Sequence, residues 1–428
     1  MFSGAESARE RARQASTAAG LINVRRHKPD YWIIVLCAIL LAVGLVVIYS
    51  ISPALALTSG VSGSYFVDRQ ALAIGLSIIA FIVTTKVPLE RFRSSYKLLL
   101  VIGALATLVA IVLPVNPNYP AHRWVRLGSL SFESVELLKF ALLVWLANFL
   151  TIKIRQGAIA NFRKTAVPIL ASMVVIGFVV AFIQSDLGST GVIVAMMGIM
   201  AFIAGLPIKR ILIIGGLIII VGVLAVVSSP YRRARIETYL HPAANCQSTG
   251  YQACQSIIAV GSGGLTGLGL GSGVQAYGYL PEADNDSIFA IYAEKFGFIG
   301  SIILLAIFAV LFYRIAKVSE RAPDDFSRLV VVGVLTWISV ETIINIGAMV
   351  GLLPLKGITL PFISYGGTSL VFFAAAMGLV YQISGYSSHV SPTAGKNLKG
   401  RSNDNDYSSH GRGVRGSYYP NPGNRSRA

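Results

Sequence analysis

The basic cluster Arg25-Arg26-His27-Lys28, followed by residues 31–51 with the sequence YWIIVLCAILLAVGLVVIYSI, decides the fold. A run of about twenty residues without one charge is long enough to cross a hydrocarbon layer as a helix. Lys and Arg directly before such a run predict a flank retained in the cytoplasm. Ala54-Leu55-Ala56 mimics a signal-peptidase site. The apolar run is longer than that of a cleaved leader, however, so an uncleaved first span, Tyr31 to Ile51, is expected.

The same pattern recurs along the chain. Further spans are expected at Ala71 to Thr85, Leu98 to Leu113, Glu136 to Ile152, Val167 to Ile183, Leu187 to Ala204, Ile211 to Val227, Ile288 to Tyr313, Leu329 to Val350 and Phe362 to Ile383. The chain thus reads as an all-α integral membrane protein of ten transmembrane helices, with a long extracytoplasmic loop, residues 229–287, between the seventh and eighth. Alternate loops carry the positive charge: Lys86 to Lys97, Lys153 to Lys164, Lys209-Arg210 and Arg314 to Arg328. These loops belong in the cytoplasm, and an even count of spans puts both termini there.

Composition agrees. Of 428 residues 54% are hydrophobic and only 13% charged, too apolar for a soluble chain of this length. The formal charge of +17 sits in short clusters between apolar runs, which is membrane topology and argues against nucleic-acid binding. Residues 1–28 form a basic cytoplasmic tail, 29–386 the ten-span domain, and 387–428 a Ser-, Gly- and Asn-rich tail with too little apolar surface to fold.

Ionisable groups within or beside spans are expensive and mark candidate sites. Glu136 and Lys139 lie three apart on one helical face; they read either as a site pair or as an ion pair that positions helices. In the tight turn Gln184-Ser185-Asp186-Leu187-Gly188-Ser189, Asp186 reads as a helix cap or a site residue. Glu341 and Asn345 share a face of the ninth span and read as polar glue between helices. Arg123 and Arg126, Arg232 to Arg235, and Lys356 break the charge rule of the outer loops, so they need a reason other than topology.

The long loop carries most of the remaining signal. Its glycine-dense stretch Gly261 to Gly273 matches neither a dinucleotide fingerprint nor a P-loop; it reads as close packing against helices or as a backbone cradle for a pyrophosphate. Cys246 and Cys254 fall in this outer loop, which predicts a disulfide, with two unpaired thiols as the alternative. Asp284-Asn285-Asp286 follows Pro281 and precedes Ile288, so a helix is expected to start there with Asp286 in its first turn. An N-cap role for Asp286 competes with a chemical one, and Asp284 with Asp286 leaves a divalent cation, Mg²⁺ or Mn²⁺, open.

Leu353-Pro354-Leu355-Lys356-Gly357-Ile358-Thr359-Leu360-Pro361-Phe362-Ile363-Ser364-Tyr365-Gly366-Gly367-Thr368-Ser369 closely resembles the signature of the SEDS family (shape, elongation, division and sporulation), of the FtsW and RodA type. Further matches are His122 to Gly128, Glu136 with Lys139, Gln184 to Ser189, Gln255 to Gly264 and Leu280 to Gly297, so the likeness covers Tyr31 to Ser384. The resemblance implies a ten-span enzyme that polymerises lipid II on the outer face of the cytoplasmic membrane. It places the family's essential aspartate at Asp286 and its membrane-embedded glutamate and lysine at Glu136 and Lys139, and Lys356 resembles the division branch. Departures are Asp284-Asn285-Asp286 where His-Thr-Asp or His-Asn-Asp is usual, Glu133-Ser134-Val135-Glu136 for Gln-Pro-Ser-Glu, and Glu294-Lys295-Phe296-Gly297 for Glu-Glu-Leu-Gly.

The function expected is therefore a peptidoglycan glycosyltransferase making septal glycan, with Asp286 as general base. Lys139, Glu136, Arg123, Arg126, Lys356, Gln184 and Asp186 would form the substrate and pyrophosphate site. The resemblance also implies a class B penicillin-binding transpeptidase and other division proteins as partners, at the division septum. A lipid II flippase and a non-catalytic division scaffold are the alternatives. A carrier needs a polar path between both faces, whereas the unusual polar residues here concentrate on one side.

Overall fold

The computed structural model describes residues 22–113, 124–127, 130–227 and 250–390, with residues 233, 237, 239, 240 and 246–248 between them. Two units divide the chain: residues 24–388, and a second formed by residues 1–23 with 389–428, of which only residues 22, 23, 389 and 390 are described. Most of the expected C-terminal tail thus lies outside the described residues.

The larger unit opens with α1 (Tyr31–Ser59), whose first turn is capped by Asp30 accepting a hydrogen bond from the Trp32 N–H at 3.1 Å. α1 continues past Ile51 through Pro53 and stops at Gly60, which is left-handed. A proline removes one backbone donor without ending a helix that its neighbours hold in place. Ala54 and Ala56 of the cleavage-like motif are buried within it.

There follow α2 (Tyr65–Lys86), the short α3 (Leu89–Ser94), α4 (Tyr96–Val112), α5 (Ser134–Arg155), α6 (Val167–Phe178), α7 (Leu187–Ile203), α8 (Ile208–Val227), α9 (Tyr251–Ser262), α10 (Ile288–Arg321), α11 (Asp325–Met349) and α12 (Gly367–Ser384). Single π-helical turns, Phe162–Ala166 and Val179–Ile183, extend α6 at both ends. Each expected span falls on one of these helices. Among the described residues seven, α6 being counted with its two π turns, are long and apolar enough to cross a membrane by length and composition, while α4 and α7 are apolar helices of 17 residues. A short antiparallel hairpin, Trp124–Leu127 with Leu130–Glu133, leads into α5.

Most of α5, α11 and α12 is buried, whereas α2 and α10 turn most of their apolar surface outward. Lipid tails are as apolar as leucine, so the bundle is fastened where small residues let backbones approach. Gly44 of α1 shows this: a Cβ there would stand 2.7 Å from the carbonyl oxygen of Ile363.

Two expectations need correction. The tenth span starts at Gly367, not Phe362, because residues 354–366 are non-helical and Phe362 adopts a positive φ of 67°. α10 is interrupted inside its first third by Gly297 (φ 66°, ψ −165°), where a Cβ would meet the Gly267 nitrogen at 2.3 Å.

One end of the bundle gathers the flanks. The His27 N–H donates to the Gly385 carbonyl at 2.9 Å, the Asp30 N–H to the Ser384 hydroxyl at 2.9 Å, and Arg314 pairs with Asp30 at 2.6 Å. α10 and α12 begin at the opposite end, and there the polar residues collect.

Candidate active site

Near the start of α5, Lys139 extends its ammonium to Glu136 Oε1 at 2.6 Å and to Glu341 Oε1 of α11. Trp337 donates its indole N–H to the same Glu341 oxygen at 2.8 Å, and its ring centroid lies 5.3 Å from the Lys139 ammonium. Lys139 and Glu341 are each 1% exposed. An ion in such surroundings costs several kcal/mol unless it is paired, and here one cation faces two carboxylates. Glu341, read from the sequence as glue, is thus part of the cluster itself.

The turn before α7 abuts this cluster. Asp186 caps α7 by accepting the Ser189 N–H at 2.9 Å, as its residue type suggested, and it is close enough for its charge to act on Glu136. Gln184 donates to the Ser134 hydroxyl at 3.2 Å, joining the turn to the start of α5. Gly188 is where the signature loop presses in: a Cβ there would stand 2.7 Å from the Ile358 side chain and 2.9 Å from the Lys356 carbonyl. Lys356 itself is half-buried.

Asp286 is 8% exposed. It does not sit in the first helical turn, because α10 starts at Ile288 and Ser287 occupies the N-cap position. The N-cap reading of Asp286 therefore fails on geometry. Gln252 of α9 reaches Asp286 Oδ1 at 3.4 Å and the Ser287 hydroxyl at 3.1 Å. Asn345, one turn beyond Glu341 on α11, donates its side-chain amide to the Asp286 carbonyl at 2.7 Å and to the Ile358 carbonyl at 2.7 Å. Asp284 is partly buried; burial, then the neighbouring Glu282, pushes its carboxyl up to about 6.

Part of the glycine-dense stretch packs against the start of α10. A Cβ on Gly263 would fall 2.1 Å from the Ala293 carbonyl, and one on Gly273 2.5 Å from the Glu294 carboxylate. Leu268 and Gly269 N–H groups donate to Glu294 and Lys295 carbonyls at 3.0 Å each, and Glu294 Oε1 accepts from Val274 at 3.0 Å and Gln275 at 3.2 Å. Cys246 and Cys254 are joined, with Cα atoms 5.5 Å apart, which fastens the preceding loop to the first turn of α9 beside Gln252.

The structure thus brings together Glu136, Lys139, Gln184 and Asp186, and connects them through α11 and Ile358 to Asp286. Arg123 and the side chain of Arg126 lie outside the described residues. Gln252 carries no signal in the sequence, whereas the spacing of Asn345 from Glu341 on an apolar helix marks both as one polar face. Among the described residues no three His, Cys, Asp or Glu side chains converge as metal ligands.

A bundle of apolar helices enclosing carboxylates and a lysine at one end defines a multi-pass membrane protein with a built polar site. The chain belongs to the FtsW, RodA and SpoVE family of cell cycle proteins, whose model matches residues 31–389. It is 37% identical over 369 residues to stage V sporulation protein E of Bacillus subtilis (strain 168), covering 86% of this chain and 100% of that protein. To a probable peptidoglycan glycosyltransferase FtsW of Saccharophagus degradans it is 35% identical over 362 residues, 83% of this chain and 92% of that one. In fold it resembles a chain from a peptidoglycan synthase complex (TM-score 0.67, 24% identity, 83% of this chain and 97% of that chain) and the rod shape determining protein RodA of Thermus thermophilus (TM-score 0.58, 24% identity, 83% and 96%).

Proposed function

We propose that this protein is a peptidoglycan glycosyltransferase that polymerises lipid II during cell division, with Asp286 as its general base. The observation that carries the reading is a carboxylate at 8% exposure, placed before the N-cap of α10 on a turn that Asn345 joins to α11, the helix bearing Glu341. Its family membership and the glycosyltransferase name borne by its FtsW relatives support the reaction class. The site end of the bundle is opposite the one where Asp30, Ser384 and Arg314 meet. With the basic loops inside, that arrangement supports the reading that both termini lie in the cytoplasm and the site at the outer face.

The reaction joins the 4-hydroxyl of an acceptor sugar to the anomeric carbon of a donor, and a lipid pyrophosphate departs. The hydroxyl becomes a competent nucleophile as Asp286 takes its proton, a role worth typically about 10²–10⁴-fold. Displacement at the donor carbon inverts its configuration. Lys356, Arg123 and Arg126 are the proposed partners of the leaving pyrophosphate, where negative charge develops. Lys139 is already matched by two carboxylates. Its part, with Glu136, Gln184 and Asp186, is to shape and polarise the floor of the site. The likeness in fold to a chain of a synthase complex that coordinates polymerization and crosslinking supports a transpeptidase partner.

The test is glycan synthesis from purified lipid II by the reconstituted protein and its Asp286→Asn variant, beside an assay of lipid II crossing the same liposome membranes. Asn keeps the size of Asp but accepts no proton, so polymer should fall about 10²-fold or more. Wild-type polymer from the variant removes Asp286 from the mechanism. Translocation without polymer from the wild type replaces the enzyme with a flippase.

A further inference from the structure

Residues 284–286 precede α10 and belong to no helix or strand, so no regular ladder fixes the backbone that aims the Asp286 carboxylate. Their three successive carbonyls are nevertheless all engaged. The Asp284 carbonyl accepts the Tyr365 N–H at 2.8 Å, the Asn285 carbonyl the Ser364 hydroxyl at 2.7 Å, and the Asp286 carbonyl the Asn345 amide at 2.7 Å.

Two of these donors are side chains with a second task. Ser364 Oγ also accepts the Leu360 N–H at 2.7 Å, and Asn345 Nδ2 also donates to the Ile358 carbonyl at 2.7 Å. Both neighbours of that Asn345 atom are carbonyl oxygens, so it must be the amide nitrogen. Ser364 is 4% exposed and Asn345 2%. Each is a buried side-chain pin between the turn bearing Asp286 and the loop of residues 354–366, beside the backbone bond from Tyr365 to Asp284.

We propose that Asn345 and Ser364 are positioning residues for Asp286, locking residues 284–286 to the signature loop so that the carboxylate meets the acceptor hydroxyl in a reactive geometry. The proposal rests on the assignment of Asp286 as general base. A misplacement of about 1 Å in such a group costs on the order of 10²-fold in rate without loss of substrate contacts. Removal of either pin should therefore lower kcat and leave KM almost unchanged.

The experiment measures kcat and KM for lipid II polymerisation by the full-length protein and its Ser364→Ala, Ser364→Thr, Asn345→Leu and Asp286→Asn variants, each normalised to monodisperse folded protein. Ser364→Ala and Asn345→Leu should lose about 10- to 100-fold in kcat, with KM within about two-fold of wild type. Ser364→Thr keeps the hydroxyl and should recover most of the rate. Unchanged kcat in Ser364→Ala, a loss confined to KM, or no recovery with Thr overturns the proposal. If Asn345→Leu does not fold, the Ser364 pair decides alone. An active Asp286→Asn variant removes the base itself, whereas an inactive one beside a fully active Ser364→Ala removes only the positioning role.

Discussion

Lys139 on α5 and Glu341 on α11, 202 residues apart in the chain, share a buried ion pair. Exchanging Glu136 with Lys139 is therefore not a neutral swap, because the new glutamate at 139 would face Glu341. The informative experiment is a double-mutant cycle. Lys139→Met leaves two buried carboxylates without their cation and should cost about 3–5 kcal/mol, read as a lower Tm in detergent. Glu341→Gln added to Lys139→Met should return a substantial part of that loss. Additive losses would mean that the pair is not coupled.

Asp284 supplies a pH test outside the spans. Its folded pKa of about 6 is raised from 3.8 by burial first and by Glu282 second. A raised acid contributes stability that is fully present below its unfolded pKa and is lost as pH rises through the folded value. Wild type should thus match Asp284→Asn in Tm near about pH 4 and fall below it by about pH 7.5. A Tm difference that does not change with pH would show that Asp284 ionises freely.

The disulfide predicts a labelling pattern. In unreduced native membranes a thiol reagent should find neither Cys246 nor Cys254, and after reduction both, with Cys37 the free cysteine of the chain. Closing so short a loop stabilises by roughly 2–3 kcal/mol on the entropy model. Reduction should accordingly lower the Tm and loosen the first turn of α9, from which Gln252 reaches Asp286. Labelling without reductant would disprove the bond.

The spans were legible because each is a run of apolar residues near the length that hydrocarbon demands, a signal carried within one segment. The pairing of Lys139 with Glu341 was not, since a helix face gives each residue's direction and not its partner across 202 residues. Asp286 could be picked out by its neighbours Pro281 and Ile288. Its place before the N-cap could not, because Ser287 serves that position equally well by residue type. The break at Gly297 and the non-helical residues 354–366 depend on contacts with distant backbone, which local propensity does not encode.

Packing and a pyrophosphate cradle, the two readings of the glycine-dense stretch, make different demands on Gly267 and Gly271. Gly267 has φ +85°, and a Cβ there would sit 2.1 Å from the Lys295 carbonyl, which is backbone and cannot swing aside. Gly271, four residues on, has nothing within 4 Å of its Cβ position and no positive φ. Left-handed strain of about 1–2 kcal/mol plus overpacking of about 1–3 kcal/mol should make Gly267→Ala clearly destabilising. Gly271→Ala should leave Tm within about 0.5 kcal/mol of wild type. If the segment only packs, polymerisation by Gly271→Ala should also be unchanged, and the loss in Gly267→Ala should follow its loss of folded protein. A Gly271→Ala variant that folds normally and polymerises poorly would instead show that this backbone approaches the substrate, since a methyl group there obstructs nothing within the protein.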